Sequence, residues 1–403
     1  MVWALGMPKS WVLAALLFAA CSSDHASTPD AGVAIDAAPD GPPAFVEAPH
    51  GTVPEVVSIG GSVLATPKIV PIFFTGDDVT QAQIEQFLGM LPGSSYWHAT
   101  TSEYGVGDLG IGATIVTTDA VPATDTALEA WLASKLDGTH AGWTFDANTI
   151  YSVFLPAGAV LQTQFGRSCQ AFGAYHSEVM RTGSPNVVYA LMPRCGGGIE
   201  SLTVATSHEF VEAATDPLPF SAGAYQDLDA DHRIWGMTPG AELGDMCEYL
   251  GNASQQIVGS FFVQRTWSNA SAKAGHDPCV PVLATPYQAA APMFAEDITI
   301  DDGQGGTLTT KGVQIALNTS KTIDIALFSD APTADFSVRA ASFGGGGGAA
   351  ELTFAFDKTS GHNGDILHLT ITRKANGQGG SEFVLAIGPQ GGASSLWWGA
   401  AAN

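Results

Sequence analysis

The sequence predicts an α+β fold in two parts, a mixed sheet with helices followed by an all-β sandwich. Three observations carry this expectation. Between about residues 53 and 282, apolar runs of strand type alternate with amphipathic helical stretches. Within that region one long Ala-rich stretch, free of Gly and Pro from Leu202 to Thr215, carries His208, Glu209 and Glu212. Beyond about residue 290 there are only short strands separated by turn signals, with no helical stripe.

Taken in order, residues 1–21 have the layout of an export signal: Lys9, the apolar run Trp11 to Phe18, then Ala19-Ala20-Cys21. The apolar run is too short to span a bilayer. Small residues before a Cys resemble a bacterial lipobox, in which Cys21 is lipidated and becomes the first mature residue; the alternative is ordinary signal cleavage. Residues 22–52 are rich in Pro, Asp, Ala and Gly with hardly an aliphatic cluster, so they read as a disordered tether, with His25 solvated in it. Lipid anchoring to the cell envelope, or secretion, is the expected location.

The central part, residues 53–282, opens with the strand-type run Lys68 to Phe74, in which Pro71 points to an edge or a bulge. Asp78 is expected to cap a helix from Val79 to Leu91, where Ile84, Phe87, Leu88 and Leu91 form one stripe. A second helix runs from about Asp125 to Leu136 and stops at Gly138. Ala113 to Thr117, Thr149 to Leu155 and Val187 to Leu191 read as further strands.

The third helix ends near Thr215 or Asp216, because Pro217 forbids continuation. His208 and Glu212 are four residues apart and share one face, with Glu209 beside them. This is the geometry that His-Glu-x-x-His gives zinc hydrolases, here with Glu as the second ligand. A carboxylate reaches Zn²⁺ at about the same distance as an imidazole, roughly 2.0–2.2 Å. It also slightly favours harder cations, which keeps Mn²⁺ or Ca²⁺ as alternatives to the expected zinc. The plain alternative is a polar face of an ordinary helix. The run Asp227-Leu228-Asp229-Ala230-Asp231 lacks the Gly and closing Glu of a calcium loop and reads as a solvated acidic turn.

Of five cysteines, four remain if Cys21 is lipidated, an even number that fits an oxidising compartment. Three pairings are open; Cys169 with Cys195 and Cys247 with Cys279 close the shortest loops. No Cys-x-x-Cys spacing supports a cysteine-rich zinc site.

Several spaced segments occur together: Ser168 to His176, Tyr189 to Cys195, Ser207 to Pro217, Glu242 to Cys247, and Trp267-Ser268-Asn269 before Cys279. Over about residues 55–282 this set resembles bacterial secreted relatives of the EXORDIUM, or phosphate-induced, extracellular proteins. The resemblance implies an extracellular location more than an activity. With the zincin-like His-Glu-x-x-Glu motif added, His208 and Glu212 are expected as ligands and Glu242 as the third, with Asp245 and Asp216 as substitutes. Glu209 is the expected general base. His176 is expected either as an oxyanion donor or fourth ligand, or as a structural histidine beside Cys169.

The last part, about residues 290–403, follows a Pro- and Ala-rich boundary at Pro281 to Pro292 and carries about seven short strands, which argues for an immunoglobulin-like sandwich. Trp397-Trp398 could stack a carbohydrate or pack a core. No catalytic constellation lies here, so an accessory role is expected.

Composition bounds the partners. The chain has 403 residues, 45% hydrophobic, with net charge −24, which disfavours nucleic acid and anionic lipid surfaces. The expectation is a surface-tethered metal-dependent hydrolase acting on peptide or protein; the rival is a non-catalytic extracellular binding protein. No Gly-x-Ser-x-Gly supports a serine hydrolase.

Overall fold

The computed structural model describes residues 44–237, 240–302, 305–343, 351–374, 381–390 and 392–402. Cys21, His25 and the expected turn from Gly344 to Gly348 lie outside the described residues. Residues 47–52, assigned to the tether on composition, pack on the rest of the chain. The Ala48 amide donates to Asn363 Oδ1 at 2.9 Å, and His50 stacks on Phe328 with ring centroids 4.0 Å apart.

The central sheet has the strand order Gly110–Ile111, Lys68–Phe74, Thr149–Phe154, Val187–Met192, Tyr175–Val179, with Ile115–Thr117 also paired to Lys68–Phe74. All pairs are parallel except the last, so Tyr175–Val179 is an antiparallel edge strand. Every residue of Thr149–Phe154 and Val187–Met192 is buried, as parallel strands covered on both faces require. Alternation then divides the core: Ile69, Phe73, Ile150 and Phe154 face Phe87 and Phe210, while Val70, Ile72, Tyr151 and Val153 face Leu128 and Leu132.

Pro71 does not mark an edge. Its strand is interior, and the neighbour on one side is broken there: Gly110–Ile111 pairs with Lys68 and Ile69, and Ile115–Thr117 with Ile72 to Phe74. A residue without an amide proton is tolerated where the ladder is interrupted.

The helix Asp78–Met90 is not capped by Asp78; Asp77 takes the capping position without a side-chain cap, its carboxylate being held by Arg194. The helix Asp125–Lys135 is capped by Thr124, whose Oγ1 accepts from the Ala127 amide at 3.2 Å. The central helix, Gly198–Thr215, begins four residues before the first non-glycine stretch would place it. Gly196, Gly197 and Gly198 all have positive φ, and this lets the chain swing from Cys195 directly into the helix. Its far end stops at Thr215 with Asp216 in the cap position, as Pro217 demands.

Disulfides join Cys169 to Cys195 and Cys247 to Cys279, the two shortest loops. Two disulfides fit an oxidising, extracytoplasmic compartment. Among the described residues no helix is long and apolar enough to cross a membrane.

The C-terminal part is all β. One sheet has four strands, in the order Gln288–Pro292, Thr319–Ser329, Ile366–Arg373, Leu352–Phe356. The other has six: Glu296–Asp301, Thr307–Gln314, Ser395–Ala402, Ser381–Ile387, Phe336–Phe343, Ser360–Gly361. Gln288–Pro292, read from composition as boundary, is therefore a strand; its small Ala289 and Ala291 side chains are fully buried against neighbours. The hydrophobic core runs on from the central part into these sheets. Trp397 packs edge-on against Trp235 at 5.7 Å and His232 at 5.9 Å, and Trp398 against Tyr249. Both tryptophans are buried, so they are packing groups and not a carbohydrate platform.

Because the core is shared, Trp397→Ala is expected to cost about 3–5 kcal/mol. Urea unfolding followed by far-UV circular dichroism and by tryptophan fluorescence should show both transitions moving together.

Candidate metal centre

The central helix places His208 and Glu212 one turn apart, with His208 Nε2 3.0 Å from Glu212 Oε2. Asp245, on the short helix Asp245–Glu248, brings Oδ1 to 3.7 Å from the same nitrogen. With bonds of roughly 2.0–2.2 Å, two ligands of a tetrahedral metal sit about 3.3–3.6 Å apart, so these spacings bracket a ligand pair. His208, Glu212 and Asp245 thus form one set of atoms able to hold an ion.

The other face of the His208 ring decides its protonation. Nδ1 lies 3.0 Å from Gln264 Oε1. The amide of Gln264 is oriented because its Nε2 donates to the Gly244 carbonyl at 2.7 Å. Gln264 Oε1 is an acceptor only, so Nδ1 carries the proton and Nε2 is left facing a carboxylate. Between that nitrogen and Glu212 there must be a second proton or a metal ion.

Glu212 is itself held in place. Its Oε1 accepts from the amides of Gly244 at 3.0 Å and Asp245 at 3.2 Å. A Cβ on Gly244 would come within 2.8 Å of both Glu212 Oε1 and His208 Nδ1, so only glycine permits this approach.

His176 comes from the antiparallel edge strand. Its Nδ1 is 3.6 Å from Glu209 Oε2 and 3.7 Å from Glu212 Oε2. Its Nε2 is 3.1 Å from the Asp216 carbonyl and 3.3 Å from Glu242 Oε1. His176, Glu209 and Glu212 make a second possible ligand set, and His176, Asp216 and Glu242 a third. Asp216 is fully buried; Oδ1 accepts from the Ala224 amide at 2.5 Å, while Oδ2 has no hydrogen-bond partner. Glu242 Oε1 is likewise buried without a hydrogen bond. Such orphaned oxygens among imidazoles are what a cation site leaves when only protein atoms are counted.

The site is electrostatically tense. Burial alone would lower the His176 pKa, but Glu242, Glu209 and Glu212 outweigh it and raise it to about 10. For His208 burial again pulls down, and Glu212, Glu209 and Asp245 hold it well above the ordinary value. Burial would raise Glu212, but His208, His176 and the Asp245 amide keep it low. Burial pushes Glu242, Asp245, Asp216 and Glu248 upward, aided in each case by neighbouring carboxylates. A divalent cation would displace these protons. The side chains of Asp245 and Glu242 keep 25% and 23% exposure against 3% for Glu212, so the cluster opens to solvent on their side.

All seven site residues expected from the sequence, His176, His208, Glu209, Glu212, Asp216, Glu242 and Asp245, meet in this cluster. Asp245 stands beside His208 and Glu212, and Glu242 lies with His176 and Asp216 instead. Gln264, Gly244 and Glu248 were not legible: Gln264 closes an apolar strand, Phe261–Gln264, and nothing local marks it. The acidic run is structural, since Asp229 accepts from the Glu55 and Asp231 amides and faces His232 Nδ1 at 2.9 Å. A small cavity of about 30 Å³ lies away from the cluster, beneath Trp235, Trp267 and Trp397.

No family model matches the chain, and no curated protein does. Among solved structures, domains 4–9 of the surface layer protein SbsC align with 31% of this chain and 19% of that one, at 12% identity and a TM-score of 0.18. A likeness at that level carries no argument about fold or function.

In metal-free protein the His176 ring is expected to titrate near pH 10 rather than 6.5. Folding raises this pKa, so the group's stabilisation is complete below about pH 6.5 and is lost as pH rises through about 10. Urea unfolding in chelator from pH 6 to 10 should show that decline, and His176→Gln should remove it.

Proposed function

We propose that the chain is a metal-dependent hydrolase of the cell envelope, specifically a zinc peptidase with a zincin-like His-Glu-x-x-Glu helix. On this reading it is a lipid-anchored relative of the EXORDIUM proteins, with Cys21 as the anchor and the C-terminal sheets as an immunoglobulin-like accessory. The observation that carries the reading is the convergence of His208 Nε2, Glu212 Oε2 and Asp245 Oδ1 at metal-ligand spacing, with Glu209 buried on the same helix.

A zinc ion held there, with manganese or calcium as substitutes, would supply Lewis acidity to polarise a scissile carbonyl and acidify water. The chain's own groups do the rest. Glu209 takes the proton of the attacking water and passes it to the leaving amine. His176, 3.6 Å away, holds the Glu209 carboxylate in place. Gln264 fixes the His208 tautomer, and the Gly244 and Asp245 amides fix Glu212. The excess of carboxylates repels phosphate esters and suits a neutral amide.

Metal content by mass spectrometry and peptide cleavage test this together. Wild type and Glu209→Gln are expected to hold zinc, and His208→Ala to lose it from this set. Glu209→Gln should cleave about 10²–10⁴-fold more slowly than wild type. A wild-type protein that takes up no divalent cation overturns the proposal in favour of a non-catalytic binding protein. Chelator competition should further show Gln264→Leu binding zinc about 10–100-fold more weakly, as loss of an outer hydrogen bond to a ligand predicts.

A further inference from the structure

The cluster holds more ligand atoms than one four-coordinate zinc can use. His208, Glu212 and Asp245 account for one set, and Glu209 is left for the proton. A separate group remains: a ring nitrogen of His176, a carboxylate oxygen of Asp216 and one of Glu242, all within 4.8 Å of one another, with Nε2 the nitrogen that faces Glu242. We propose that His176, Asp216 and Glu242 form a second divalent-cation site beside the His208–Glu212–Asp245 set.

Three observations point to a ligand here and not merely to an acidic cluster. Asp216 is 0% exposed and its Oδ2 has no hydrogen-bond partner. The Glu242 oxygen nearest His176, Oε1 at 3.3 Å, is also buried without a hydrogen bond. The spacing of His176 Nε2 to Glu242 Oε1 is that of two ligands on one ion of roughly 2.0–2.2 Å bond length. Without a metal, Nε2 donates its proton to the Asp216 carbonyl at 3.1 Å; a cation would displace that proton and leave the carbonyl as a fourth ligand atom within reach. One imidazole with carboxylate and carbonyl oxygens suits Zn²⁺ or Mn²⁺.

The fold also holds this group by contacts that the first set does not make. Asp216 is placed by the end of the central helix and by the Ala224 amide on its Oδ1. The loop that carries Ala224 is tied down by Glu178, which accepts from the Phe220 and Ser221 amides at 2.9 and 2.7 Å. Glu178 and His176 lie on the same edge strand, Tyr175–Val179, so the strand positions both sides of the site.

A cation on Nε2 also has a consequence for the proposed hydrolase site, on which this part of the argument rests. It removes the proton from Nε2, and the one proton left on the ring sits on Nδ1, on the side of Glu209 and Glu212. The second ion would thus set the orientation of the imidazole that holds the general base.

The test is zinc stoichiometry on the full chain, purified without chelator and brought to saturation, with folding of each variant checked by circular dichroism. Wild type is expected to hold about two zinc ions per chain. Asp216→Asn and Glu242→Gln, which keep shape, should each hold about one, and His208→Ala should keep the other. If wild type holds one ion that survives Asp216→Asn and Glu242→Gln but not His208→Ala, the second site is overturned and the hydrolase reading stands. If the single ion is lost in Asp216→Asn and kept in His208→Ala, the two-site arrangement falls together with the first ligand set. No zinc at all overturns both.

Discussion

Glu212 is the constraint on which the rest of the site depends. A carboxylate left with 3% exposure is costly unless its oxygens are satisfied. One oxygen is satisfied by two backbone amides, which ties the central helix to the segment that begins at Gly244. The other faces both His208 and His176, and so brings a helix and an edge strand to one point. Gly244 is obligatory because a side chain there would collide with both Glu212 and His208.

The surroundings make that point rigid. The Gly244 segment is held by the Cys247–Cys279 disulfide. Gln264, which orients His208, is followed by Arg265, fully buried and ion-paired to Asp277. Arg265 also donates to the Pro281 carbonyl at 3.0 Å and Asn252 Oδ1 at 3.2 Å. A buried charge paired in this way is expensive to break, and it pins the strand end that presents Gln264. The hydrophobic core that includes Trp235, Trp267 and Trp397 joins these segments to the C-terminal sheets.

Much of the architecture was legible because it rests on local rules. Continuous apolar runs marked the strands Lys68–Phe74, Thr149–Phe154 and Val187–Met192, and Pro217 marked the end of the central helix. Where the expectation missed, a tertiary contact had overridden the local signal. Asp77 serves Arg194 and not the helix, Pro71 sits where a neighbouring strand is interrupted, and an Ala-rich stretch becomes the strand Gln288–Pro292.

The candidate site divides along the same line. Helical periodicity by itself determined that His208 and Glu212 share a face, because residues four apart in a helix must do so. That His176, Asp216, Glu242 and Asp245 were worth singling out was also readable from their company in sequence. Which of them stands beside which was not, since the sequence distances between them carry no information about spatial neighbours. The packing of an edge strand, a helix end and the Gly244 turn around one buried carboxylate decided it. It put Asp245 with His208, sent Glu242 to His176, and recruited Gln264 from a strand whose sequence shows only that it is apolar.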